Sequence, residues 1–330
     1  MGPGNSFRTN SLSVIAVTGL RCLGTEAPMI TSKTTLSKLM VDFDTDAECR
    51  AALEKLRWPD GVACLRCNST SVSRILSRNQ FDCNACRYRF SVTTGTVFND
   101  SHLPLPKWFM AVLLMCEAKK GISANQMKRT LGVAHKTAWY LCHRIRKAME
   151  TTNPAPLANT VECDETYVGG KHRAGRADGR KTWRDKKAAV LGAIERGGEL
   201  RLRHAKNVDH ETLHAFIQQY APNPSRLMTD EHQGYFGIGD TDTIHERVHH
   251  RVHEYVRGDV STNNIESAFG LFKRAVVGSF HQVSHKHLDR YLQEFEFRFN
   301  NRKNPYLFRD TLTRLVQAEA LPYDVLTQTA

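Results

Sequence analysis

Residues 64–86, CLRCNSTSVSRILSRNQFDCNAC, hold two C-x2-C pairs separated by fifteen residues. Each pair can wrap one turn about a tetrahedral ion, and two such turns close a four-thiolate site. Any fold of this chain must therefore bring Cys64, Cys67, Cys83 and Cys86 to one point. Short apolar pieces and polar turn residues between the pairs predict two small hairpins, a zinc ribbon. A site closed by four thiolates keeps no open position, so the expected Zn2+ is structural, not catalytic. Two pairs without a neighbouring βαβ pattern also argue against a redox role. The bases around the cluster, Arg66, Arg74, Arg78, Arg87 and Arg89, can touch phosphates or simply keep a small module soluble.

The rest of the composition narrows the class. The chain has 330 residues, enough for roughly two domains. Its 46 Lys and Arg against 34 Asp and Glu give a net charge of +12, which favours a polyanionic partner, most often nucleic acid. No apolar run is long enough to span a membrane. The stretch SVIAVTGL follows a barely charged start and lacks a clear cleavage site, so export is not expected. Nine cysteines, four grouped and five scattered, suit a reducing compartment. These features predict a cytoplasmic protein. Residues 1–41 are expected to be a disordered or mis-assigned extension, with Met29 or Met40 as alternative starts.

Helical periodicity surrounds the ribbon. Cys49, Ala52, Leu53 and Leu56 stand at i, i+3, i+4 and i+7, a short amphipathic helix within a ribbon unit spanning 42–100. Residues 101–150 then predict three helices. The second begins at a Ser123 cap and ends at Leu131. The third follows a glycine-containing turn and buries Ala138, Leu141, Cys142, Ile145 and Met149. Lys136, His143, Arg144, Arg146 and Lys147 lie largely off that face. Helix, tight turn and basic helix is the helix-turn-helix layout, and Lys136, Arg144, Arg146 and Lys147 are the expected DNA contacts. An ordinary helical hairpin with a basic side is the alternative. Residues 151–159 are rich in Thr, Asn and Pro and mark a linker.

Beyond the linker the period changes to that of strands. TVECDETYV (160–168), AAVLGAI (188–194) and ELRLRHA (199–205) predict three consecutive strands, followed by a helix capped by Asp209 and a short strand ending at Asp230. A later helix buries Ile265, Ala268, Phe269, Phe272 and Val276, with Glu266 and Lys273 together on its shoulder, close to two turns apart. Carboxylates thus sit on the first strand (Asp164), at the end of the fourth (Asp230) and on a helix (Glu266). Hard divalent cations take oxygen ligands, and a pair of them can clamp both oxygens of an in-line phosphoryl transfer. Lys273 can hold a phosphate by charge. The segment 171–187 has eight Lys and Arg against two Asp; Arg180 and Lys181 are expected DNA contacts in a loop beside Asp164. The histidines at 245, 249, 250 and 253 mix spacings and are not expected to hold a metal. Cys163 is expected to face the core, away from Asp164.

DETYVGGK (164–171), MTDEHQGY (228–235), Glu266 with Lys273, and DRYLQEFEFRFNNR (289–302) resemble the DDE transposases of bacterial insertion sequences. The nearer resemblance is to the group that joins a zinc ribbon to an ISXO-like DDE domain, and CRYRFSVTTGTVFNDSHLPLPKWF (86–109) is similar to that group's junction. The likeness runs from about residue 42 to about 302. It implies an α/β protein: an N-terminal zinc ribbon and helix-turn-helix, then an RNase H-like mixed-sheet catalytic domain over 160–305, with 306–330 a C-terminal helical tail. It also implies Mg2+-dependent chemistry, with Mn2+ able to substitute, on double-stranded DNA: the element's terminal inverted repeats and a target. A homodimer or larger assembly and a place at the bacterial nucleoid follow from the same resemblance. By it, Asp164, Asp230 and Glu266 are the metal-binding acids and Lys273 their basic partner. Some family members carry Asn in the third place, which makes Asn263 a rival; Glu266 is preferred because a carboxylate neutralises cation charge and an amide does not. Glu162, two positions before Asp164 on one strand face, is a secondary candidate. A non-catalytic DNA-binding protein, a structure-selective nuclease and a decayed transposase are the alternatives.

Overall fold

Thr45 starts the N-terminal half. Its hydroxyl accepts from the backbone N–H of Glu48, and the Glu48 carboxylate accepts from the Thr45 N–H, a reciprocal cap that launches helix α2 (Asp46–Arg57). The computed structural model describes residues 30, 33–169, 187–238, 243–249 and 254–328. Within them a first helix, α1 (Leu36–Asp42), lies in the segment expected to be an extension, and its Leu39 is buried in the core. The fold therefore begins earlier than residue 42. Strands β1 (Val72–Ile75), β2 (Gln80–Cys83) and β3 (Arg89–Phe90) make one antiparallel sheet in that order, so the two expected hairpins share β2. Three helices follow: α3 (Leu105–Glu117), α4 (Ala124–Leu131) and α5 (His135–Met149). Ser123 caps α4, and Gly132 closes it with φ +62°, a left-handed conformation that glycine adopts without strain.

The second half is built on one five-stranded sheet. Strands β4 (Thr160–Val168), β5 (Ala188–Glu195) and β6 (Leu200–Ala205) form an antiparallel meander, as the alternation predicts. Helix α6 (His210–Tyr220), capped by Asp209, carries the chain across one face. Strands β7 (Arg226–Thr229) and β8 (Ile244–Arg247) then add parallel to the other side of β4, giving the order β6-β5-β4-β7-β8. Three antiparallel strands extended by parallel ones is the RNase H-like arrangement. A short hairpin, β9 (Val256–Arg257) and β10 (Val260–Ser261), leads into α7 (Asn263–Ala275), which ends in a π-helical turn at Val276–Phe280. Helices α8 (Leu288–Asn300), α9 (Leu307–Gln317) and α10 (Tyr323–Thr327) complete the chain. Because strand side chains alternate, Val161 and Cys163 pack toward α6, while Val168, Val190 and Leu202 pack toward α7 and α8.

The apolar core before the linker is distinct from those around the sheet, but the chain returns to it. Phe308, Leu312, Leu315 and Val316 of α9 join the same apolar cluster as α2, α3 and α5, so the expected C-terminal tail is a core element of the N-terminal half. Between α5 and α8, Glu294 sits buried between Arg146 (2.7 Å) and Arg298 (3.2 Å). No helix among the described residues is long and apolar enough to cross a membrane.

Candidate active site

Asp164 lies mid-strand on β4 and Asp230 just past the end of the adjacent parallel strand β7. Carboxylate oxygens of Asp164, Glu165 and Asp230 all lie within 4.8 Å of one another. Burial pushes the Asp164 carboxyl well above its ordinary range, and the charges of Glu165, Asp230 and Glu266 push it the same way. Glu165 is also raised, by burial and then by Asp230. A divalent cation relieves this kind of crowding, and an all-oxygen donor set suits Mg2+ or Mn2+. Backbone and side-chain donors orient the trio: the Glu165 N–H donates to Asp164 Oδ1 (2.8 Å), the His232 N–H to Asp230 Oδ1 (2.9 Å) and the Tyr235 hydroxyl to Glu165 Oε2 (3.0 Å).

Helix α7 brings Glu266, the expected third acid, toward Asp164. Glu266 does not join the tight trio, but it is near enough to raise Asp164. Its Oε1 accepts from the Thr262 hydroxyl at 2.9 Å. The close approach of α7 depends on Gly192, the residue of β5 directly opposite Asp164. A Cβ there would lie 2.6 Å from Phe269 Cζ and 2.7 Å from Ile265 Cδ1. A shallow groove of about 460 Å³ runs along the helix past Asn263, Glu266, Gly270 and Arg274. Lys273 is exposed on the same helix but does not line that groove; Arg274 does. Glu162 is fully buried and already engaged by Arg196 and by the start of α7, so it is not available as a metal ligand.

The four cysteines meet as their spacing requires. The Sγ atoms of all four lie within 4.8 Å of one another, with Cys64–Cys86 at 3.6 Å and Cys67–Cys83 at 3.5 Å. Two equivalent turns hold them: the Asn68 N–H donates to the Cys64 carbonyl and the Arg87 N–H to the Cys83 carbonyl, both at 2.9 Å, and Asn68 and Arg87 both take positive φ. Four thiol sulfurs converging from two such turns fit tetrahedral Zn2+.

Known families match both halves of the chain. A model of the ISXO2-like transposase domain matches residues 156–300, and one of the transposase zinc-ribbon domain matches residues 44–89. An uncharacterised protein in transposable element ISH50 of Halobacterium salinarum is 31% identical over 271 residues, which span 76% of this chain and 90% of that protein. The chain belongs to the ISXO2-like, zinc-ribbon transposase family. Crystal structures of the Mos1 strand transfer complex (9% identity, TM-score 0.27) and of a pre-cleavage Mos1 transpososome (10%, TM-score 0.24) each overlap 63% of this chain and 75% of theirs.

In this transposase the helix-turn-helix surface differs from the one its sequence predicts. Arg144 and Arg146 are 4% and 2% exposed, and His143 is buried with them. Arg144 lies over the Trp108 and Tyr140 rings and donates to the Asn99 carbonyl; Arg146 pairs with Glu294 and stacks 3.9 Å from the Tyr291 ring centre. Neither is offered to DNA. The reason is that α5 packs against α3, α4, α8 and α9, so its nominally polar face meets protein. Lys147 is half-buried and pairs with Glu150 at 2.8 Å. Lys136 stays exposed on the first turn of α5, over the Tyr323 ring at 4.4 Å. Lys128 and Arg129 on α4 and His135 on α5 are exposed as well. Arg180 and Lys181 lie outside the described residues. Sequence reasoning passed over Glu165 and Tyr235, although the repeated Asp-Glu pairs of DETYVGG and TDEHQGY were a visible signal. It also passed over Lys128 and Arg129, which precede the turn.

Proposed function

We propose that this transposase binds the terminal inverted repeats of its insertion sequence, cleaves the ends and joins the freed 3′ hydroxyl to target DNA. The observation that carries the reading is the convergence of Asp164 and Asp230 from adjacent parallel strands, with Glu266 brought alongside by α7. Asp164, Asp230 and Glu266 would hold the divalent metal, with Glu165 steadied by Tyr235 beside them. Divalent metal held there would supply charge neutralisation for an in-line displacement at phosphorus. In the first step a water oxygen bonds to the phosphorus at the element end, the bond to the 3′ oxygen breaks, and that oxygen leaves as the 3′ hydroxyl. In the second that hydroxyl bonds to a target phosphorus and displaces the target's own 3′ oxygen. Lys273 and Arg274 offer positive charge on the helix of Glu266 for the phosphates that flank the reacting one. The zinc ribbon and the surface of Lys128, Arg129, His135 and Lys136 supply end binding, consistent with the net charge of +12. Because two ends must be held together, the active form is expected to be a dimer or larger.

The test is cleavage and joining of duplexes carrying the element's ends, in Mg2+ or Mn2+, by wild type, Glu266→Ala and Asn263→Ala. Loss in Glu266→Ala with activity kept in Asn263→Ala supports Glu266 as the third acid; the reverse pattern moves the role to Asn263. End binding without cutting by the wild-type protein would instead favour a non-catalytic or decayed protein.

A further inference from the structure

A buried carboxylate two residues before Asp164 holds the start of the helix that carries Glu266. Helix α7 lacks a side-chain cap of its own: the hydroxyl of its N-cap residue, Thr262, is donated to Glu266 Oε1. The orphan backbone donors of the first turn are taken by a different strand. Glu162 Oε2 accepts from the Asn264 N–H (2.8 Å) and the Ile265 N–H (3.2 Å), and Glu162 Oε1 accepts from the Asn264 side chain (2.8 Å). A carboxylate at a helix N-terminus also meets the favourable end of the helix dipole. Glu162 is 0% exposed, so its charge needs a partner, and Arg196 Nε supplies one at 2.7 Å.

Arg196 ties in the third piece. Its Nη1 donates to the Asp259 carbonyl (2.7 Å), and its Nη2 to the Ser261 carbonyl and hydroxyl (both 3.1 Å). These residues lead directly into α7. One ion pair therefore joins β4, the β5–β6 turn and the hairpin before the helix. Along β4, Glu162 and Asp164 stand on the same face, two positions apart. On the neighbouring strand Gly192 lets the helix lie close, and the Glu162 clasp fixes where it begins.

We propose that Glu162 and Arg196 are positioning residues that set the placement of Glu266 relative to Asp164, and thereby the affinity of the site for its divalent metal. This rests on the reading of Glu266 as the third acid. Glu162 touches neither metal nor DNA in this account; it acts through the helix.

The test is Mn2+ affinity by titration calorimetry on the full-length, zinc-loaded protein, with a thermal melt of each variant. Wild type is compared with Glu162→Gln, Glu266→Gln, the double variant and Arg196→Gln. The expected result is a loss of affinity of about tenfold in both single carboxylate variants, with the double variant no weaker than either. Arg196→Gln should weaken binding in the same direction by less, and it decides the matter if Glu162→Gln fails to fold. A melt that drops while Mn2+ affinity holds in Glu162→Gln and Arg196→Gln would make the clasp merely structural and overturn the proposal. So would losses that add in the double variant. An unchanged affinity in Glu266→Gln would remove the third-acid reading itself, and the positioning role with it.

Discussion

His143 shows how a single side chain can tie stability to pH in this molecule. It is 0% exposed, neither ring nitrogen has a hydrogen-bond partner among the described residues, and its ring packs against Trp139, His287 and Tyr291. Burial, followed by the charges of Arg146, His287 and Arg290, pushes its pKa down to about 2. The folded state therefore refuses a proton that the unfolded state accepts below its ordinary value of about 6.5. Stability from this group is present above that value and is lost as pH falls toward the folded-state pKa. Between pH 7 and pH 5 the loss from His143 alone should reach about 2 kcal/mol. Denaturant titrations at the two pH values should show that loss shrinking by a similar amount in His143→Phe. An unchanged pH dependence would place the acid sensitivity elsewhere.

Helices α7 and α5 show what a sequence pattern conveys about an element and what it omits. The apolar stripe of α7, Ile265, Ala268, Phe269 and Phe272, is buried as its spacing requires, and Glu266 falls on the shoulder. What holds the helix in place was not legible, because Glu162 and Gly192 act across strands and no local pattern marks a partner so far along the chain. Gly192→Ala should force Phe269 and Ile265 aside, cost about 1–3 kcal/mol, and lower cleavage more than it lowers end binding. Equal cleavage by that variant and wild type would show that the close approach has no part in the site. For α5 the periodicity located the helix and its main buried face but not the packing of α8 and α9 on the other side. Amphipathicity reports how many faces are greasy; it cannot report that Arg146 is buried against a glutamate 148 residues on. The set proposed to face DNA is accordingly the exposed Lys128, Arg129 and Lys136. Replacing any one with alanine should flatten the dependence of log affinity on log salt by about 0.9 if it meets a phosphate. Arg146→Ala should instead lower the melting temperature by leaving Glu294 short of a partner.

At the scale of the whole molecule, the chain closes on itself: α9 returns to the N-terminal core, and the Arg146–Glu294–Arg298 group binds α5 to α8. The linker composition at 151–159 coincides with a change from helices to strands and from one apolar cluster to others, but it gave no sign that α9 returns to the first cluster. Removing residues 306–330 would delete the buried apolar side chains of Phe308, Leu312, Leu315 and Val316, each worth roughly 1.5–3 kcal/mol, and uncover the part of the N-terminal core they pack against. That sum approaches the stability of a whole domain, so the truncated protein should lose the cooperative unfolding transition seen by calorimetry. A transition at the wild-type temperature would mean that the N-terminal core stands without α9. The site itself was legible to the extent that acids recur on successive elements of one sheet; Glu165 and Tyr235 became evident only once β4 and β7 were side by side. The most direct test of the central claim is cleavage of duplexes bearing the element's ends in Mn2+, comparing wild type with Asp164→Asn, alongside a gel-shift measurement of end binding. The account predicts metal-dependent cutting by wild type, reduced by about 10²–10³ in the variant, with end binding intact. Cutting by Asp164→Asn at the wild-type rate would contradict it.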